Sequence, residues 1–118
     1  MHRLSENKAM KLLTTSFFTL LLGFAGSSYG QSFEETKLLA EQGYVNAQYN
    51  LGVMYSNGEG VPQNDIRAYV WYSVAATQGG EDARGNRDIV SERLSPAGRE
   101  QAQQIATKCF ESDYQDCK

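Results

Sequence analysis

The chain has a single histidine, His2, in 118 residues, with only two cysteines, two prolines and one tryptophan. His2 stands in an N-terminal stretch that reads as a leader. The body of the protein therefore offers no Ser-His-Asp triad, no Cys-His pair and no histidine metal site. Basic residues are also few: 11 Lys plus Arg stand against 14 Asp plus Glu, a net charge of -3, without a basic cluster. That balance argues against nucleic acid and against anionic membrane surfaces as partners. No run approaches the roughly 20 apolar residues that a spanning helix needs. No segment alternates with period two, so no strand is expected.

What is present begins with a leader. Lys8 and Lys11 precede an uncharged stretch from Leu12 to Ala25, followed by Gly26-Ser27-Ser28-Tyr29-Gly30. This is the charged, apolar, small-residue order of a secretory signal peptide, with a cut between Gly30 and Gln31. Met10 is an alternative start to Met1. A membrane anchor is the rival reading, but Thr14, Thr15, Ser16 and Thr19 dilute a stretch already too short to span. The expected mature protein, residues 31–118, is periplasmic or secreted, without stable membrane insertion. It carries eight Lys plus Arg against thirteen Asp plus Glu, and at 88 residues it is a single domain near the lower limit for an adequate core.

Shifting the chain by 36 residues on itself places Ala40 over Ala76, Gln42 over Gln78, Gly43 over Gly79, Ala47 over Ala83 and Asn50 over Asn86. A period of that size indicates stacked supersecondary units. Within the best unit, Asn46 is expected to cap a helix whose Ala47, Leu51 and Tyr55 share one face, with Gly52 admitting a neighbouring backbone. Asp65 is expected to cap a second helix, with Ala68, Tyr72, Ala75 and Ala76 as its stripe, Trp71 beside them and Gly79-Gly80 as its end. A shorter helix, Phe33 to Gln42, carries Phe33, Leu38 and Leu39. Asp82 to Leu94 and Pro96 to Cys109 read as another pair, the latter opened by Ser95 and Pro96. The expected fold is all-α, about five helices in antiparallel pairs.

Leu51-Gly52, Tyr55, Gly58, Gly60-Val61, Asp65, Ala68, Trp71-Tyr72, Ala75-Ala76, Gly79 and Ala83 resemble the repeat of the Sel-one-like family, relatives of tetratricopeptide repeats. The resemblance implies a short right-handed solenoid of helix pairs. It covers one complete unit, about residues 44–79, a half-unit before it and a degenerate terminal cap unit over 80–118. In that last unit Arg87-Asp88 replaces Leu51-Gly52.

Gly58-Glu59-Gly60 could be imagined as a phosphate loop, but it follows a helix, lacks a Gly-Lys-Ser/Thr ending and places Glu59 where an anion would sit. It is expected to be a corner, with Val61 dropping into the core and Pro62 blocking further helix. Cys109 and Cys117, an even pair in an exported chain, read as a disulfide. An unbroken helix would hold their Cα atoms about 12 Å apart, so a bridge requires a helix end near Ser112-Asp113. Free thiols are the alternative. Family analogy favours the bridge. The aromatic set around Trp71-Tyr72 reads as core rather than a ligand cage, and any of Tyr44, Tyr49 or Tyr69 facing outward is a candidate for partner contact. Glu81-Asp82 and the arginines of residues 84–99 read as solvated, dipole-compatible helix faces.

No catalytic, cofactor or metal residues are expected. The resemblance implies a non-enzymatic bacterial module that binds another protein as adaptor, assembly factor or inhibitor, with self-association as a further option. The competing function is an enzyme or ligand binder acting on cell-wall-like compounds, with β-lactam binding or hydrolysis, to which some exported members of the family are linked, as its specific form. The only Ser-x-x-Lys sequence, Ser5 to Lys8, lies in the leader, and no mature serine has a lysine three residues on.

Overall fold

The computed structural model describes residues 32–118; the expected signal segment and its expected Gly30–Gln31 cut lie outside them. Among the described residues there are five helices and no strand: α1 (Phe33–Glu41), α2 (Val45–Asn57), α3 (Asp65–Thr77), α4 (Glu81–Arg93) and α5 (Pro96–Glu111). Short turns fold α1 on α2, α2 on α3 and α3 on α4, as expected of a helical-repeat solenoid.

Helix α1 opens with a reciprocal capping box, in which Ser32 Oγ accepts from the Glu35 amide and Glu35 Oε1 accepts from the Ser32 amide. Its buried positions are Thr36 and Ala40, with Phe33 half-buried above them. Leu38, one of the three apolar residues the helix carries, is exposed. At 100° per residue it lies roughly 140° around the helix from Phe33, so both cannot face α2.

On α2 the stripe Ala47, Leu51 and Tyr55 is buried as the spacing predicts, and Gln48 and Gly52 join it. Two expected caps are corrected. Tyr44, not Asn46, precedes α2 and offers no side-chain cap, which leaves Asn46 inside the first turn. Asn64, not Asp65, caps α3 by accepting from the Arg67 amide at 3.0 Å. Asp65 is the first helical residue, where its charge suits the helix dipole.

The corner between α2 and α3 is a turn in every detail. Gly58 is left-handed, with φ of 74°, and its amide donates to the Met54 carbonyl; Gly60 has the same φ. The Asn64 amide returns to the Tyr55 carbonyl at 2.8 Å. Glu59 accepts from Asn57, and Val61 packs half-buried against the core.

Helix α3 is the centre of the molecule, burying Ala68, Val70, Trp71, Tyr72, Val74, Ala75 and Ala76. It touches α2, α4 and α5, so it needs apolar residues around most of its circumference. Leu51, Val70 and Val74 are fully buried, each worth about 1.5–3 kcal/mol relative to exposure. Helix α5 starts on Ser95, whose Oγ accepts from the Gly98 amide, with Pro96 in the first turn. The expected α4/α5 pairing is corrected here: α5 turns back to pack chiefly on α3. Helix α4 has only Ala83 and Val90 buried, too little apolar surface to hold a second partner.

The 36-residue period is visible in the backbone. Gln42 and Gln78 each follow the last residue of a helix, Gly43 and Gly79 take φ of 99° and 96°, and Ala40, Ala76, Ala47 and Ala83 are all buried.

A candidate interaction groove

Helices α2 and α4 occupy equivalent places in successive units and leave a groove between them, floored by α3. One half is a cavity of about 410 Å³ lined by the N-terminal turns of both helices, including Val45, Asn46, Glu81 and Asp82. The other, about 350 Å³, lies further along, between Val53 and Ser56 on α2 and Ile89 and Arg93 on α4. Tyr49 lines both halves and stands between them.

The floor is polar and braced. Tyr49 and Tyr72 meet with ring centroids 5.8 Å apart and planes inclined at 50°, and the Asn86 amide donates to the Tyr49 hydroxyl at 3.0 Å. The Tyr72 ring fills the space above Gly52, where an added Cβ would come within 2.6 Å of it. Gly52 therefore admits an aromatic ring, not the neighbouring backbone expected from the sequence. Burial pushes the Tyr72 phenol above its ordinary pKa, and the neighbouring Tyr49 adds to the rise; hydrogen bonds with Ser56 and Asn86 and the charge of Arg93 oppose it. Arg93 closes this end, donating to both Asp65 carboxylate oxygens at 2.8 and 3.2 Å and to Ser56 Oγ at 2.9 Å. The hydrogen bond to Asp65 holds the guanidinium pKa above its usual value.

The three tyrosines singled out for partner contact are separated. Tyr49 lies half-buried in the groove. Tyr44, 59% exposed, stands just before Val45 at the groove's entrance. Tyr69 lies one turn before Ser73 on the α3 face directed to α5, away from the groove. Asn86, Ile89 and Arg93 had no functional signal in the sequence; the one available clue was that Asn86 repeats Asn50 in the 36-residue period.

At the far end of the chain, Cys109 and Cys117 hold their sulfurs at bonding distance, with Cα atoms 4.3 Å apart. Helix α5 ends between them, and Asp113 and Tyr114 take left-handed φ of 56° and 67° to reverse the tail. Tyr114 then lies against Gly43, and Gln115 Nε2 donates to the Glu41 carbonyl at 2.8 Å.

Among the described residues no three His, Cys, Asp or Glu side chains gather as a metal set, and no helix is long and apolar enough to cross a membrane.

The family model described as Sel1 repeat matches residues 45–80. The chain is similar to the alginate biosynthesis protein AlgK of Azotobacter vinelandii, 32% identical over 84 residues, covering 70% of this chain and 18% of that protein. It is similar to the exopolysaccharide production negative regulator of Rhizobium meliloti (strain 1021), 34% identical over 88 residues, covering 70% of this chain and 32% of the relative. The corresponding regulator of Rhizobium leguminosarum bv. viciae is 37% identical over 62 residues, 50% of this chain and 23% of its own length. The chain thus spans between 18% and 32% of the length of these relatives.

Proposed function

We propose, from the premise that this chain is a Sel1-repeat protein, that it is an exported, non-enzymatic module that binds another protein through the α2–α4 groove. The observation that carries the reading is the groove itself. Two helices from successive units leave Tyr49, Val53 and Ile89 half-buried or exposed on a braced floor, the kind of surface a repeat protein presents to a partner. The names of the relatives concern alginate biosynthesis and the control of exopolysaccharide production. Those names support a partner within the machinery that makes or regulates exopolysaccharide, with this chain as adaptor, assembly factor or inhibitor in the periplasm or outside the cell. The Cys109–Cys117 bridge fits that oxidising location. β-Lactam hydrolysis draws no support, because no mature serine carries a lysine three residues on.

The test is a photo-crosslinking side chain placed at Ile89 in the host bacterium, with the exposed α5 position Gln104 as control. A discrete protein adduct at Ile89 and none at Gln104, identified by mass spectrometry, is the expected result; no adduct at Ile89 refutes the groove as the binding face. N-terminal sequencing of the protein recovered outside the cytoplasm should begin at Gln31.

A further inference from the structure

Deepening that reading, and resting on it, we infer that the groove receives a short extended segment of the partner, about five residues long, that presents a basic side chain to Glu81 and Asp82 and an apolar one to Val53 and Ile89. Three features of the groove converge on this chemistry.

The first is length. From Val45 to Asn57 α2 advances about 18 Å at 1.5 Å per residue, and an extended chain covers that in about five residues. The second is charge. Helix α2 contains no Asp, Glu, Lys or Arg, so one wall is neutral. On the other wall Arg93 is already matched by Asp65. The remaining charge in the lining is Glu81 and Asp82, both exposed at the N-terminal end. Glu81 has only a 3.6 Å solvent-exposed contact with Arg84. Asp82 has no ion pair or side-chain hydrogen bond among the described residues. A cation bound there meets two carboxylates and no competing lysine or arginine from α2.

The third is the division between the two halves. The acidic pair and Asn46 lie at one end, whereas Val53 and the 57%-exposed Ile89 lie at the other. Between them the Tyr49 hydroxyl accepts from Asn86 and retains its own proton to donate to a peptide carbonyl. A segment with basic and apolar side chains a few residues apart satisfies both ends at once, while an acidic segment is repelled at the entrance.

Selection of random twelve-residue peptides displayed on phage against the full chain tests the inference. Enriched peptides should carry Lys or Arg within two to four positions of a Leu, Ile, Val, Met or aromatic residue. Fluorescein-labelled synthetic copies should lose about tenfold in affinity to the double variant Glu81→Gln, Asp82→Asn, and should weaken with added salt. Glu92→Lys, on the exposed side of α4 outside the groove lining, reverses a charge as a control and should change affinity by less than about twofold. Circular dichroism establishes that each variant keeps its helices. Enrichment of acidic or uncharged peptides, undiminished binding by the double variant, or no enrichment at all overturns the basic-segment assignment. If Ile89 still crosslinks to a partner protein, the interaction reading survives that result; if Ile89 gives no adduct, both fail.

Discussion

The side-chain amide of Gln78 donates to the side-chain carbonyl of Gln48 at 2.6 Å, and Gln48 in turn donates to the backbone carbonyl of Ala40 at 3.1 Å. Gln48 is fully buried, so this chain of bonds satisfies a polar side chain that would otherwise be costly to remove from water. It also joins the end of α1 to the end of α3, the same corner in two successive units. The stack is thereby tied in register by polar contacts as well as by packed apolar surface.

Gln48→Leu keeps the volume but removes both bonds; the Ala40 carbonyl keeps the Gly43 amide as a donor, and the exposed Gln78 side chain can turn to water. The expected loss is about 0.5–1.5 kcal/mol, read as a fall in Tm of roughly 4–8 °C per kcal/mol in a domain of this size. An unchanged melting curve would show that the bond chain contributes nothing net.

Gly52 and Gly85 should answer substitution by alanine in opposite directions. At Gly52 the new Cβ meets the Tyr72 ring at 2.6 and 2.7 Å, and displacement of that ring should cost about 1–3 kcal/mol and disturb the groove floor. At Gly85, in the middle of α4, nothing lies within 4 Å of the new Cβ. There the gain in helix propensity should stabilise by up to about 1 kcal/mol. Denaturant titration of the two variants checks both signs.

Tyr72 should be a late-titrating phenol. Its pKa is raised from 10.0 chiefly by burial, because the phenolate is penalised more than the neutral group. The folded state therefore holds the proton after the unfolded chain has lost it. The stability associated with the neutral phenol is fully present below pH 10 and is lost as pH rises through the folded value. Ultraviolet difference titration should show a tyrosine ionising after the ordinary class, absent in Tyr72→Phe. Coincident ionisation of all tyrosines up to the unfolding transition would contradict this.

Reduction of the Cys109–Cys117 bridge should lower stability by about 2–3 kcal/mol on the loop-entropy estimate. It should also release the tail from the α1–α2 corner. Amide exchange at Gln115, Asp116 and Cys117 should accelerate in the reduced protein, and intact mass under non-reducing conditions should be two hydrogens lighter than after reduction. Equal exchange in both states would mean that Tyr114 and Gln115 hold the tail without the bridge.

The spacing of Ala47, Leu51 and Tyr55 on α2, and of Ala68, Tyr72 and Ala75 on α3, was enough to place both stripes, because one helical period decides which side chains can reach a neighbour. The positive φ at Gly58 and Gly79 was legible for the same local reason: the chain must turn there without a Cβ clash. Cap positions erred by one or two residues where adjacent polar residues competed, as with Asn64 and Asp65. Leu38 is apolar yet exposed, because its angle around α1 carries it away from the side that Phe33 takes. Gln48 gave no sign of burial, since its partners lie eight and thirty residues away.

By itself the sequence determined that the chain is built of helices, where they turn, and that the 36-residue period stacks like on like, because periodicity, caps and glycine conformations act over a few residues. Only the tertiary structure decided that α5 packs on α3 rather than α4, that the tail reaches back to Glu41, and that Tyr49 and Asn86 meet across a groove. Those outcomes depend on which apolar surfaces remain to be covered once the local helices exist, a competition among distant segments that no short window of residues contains.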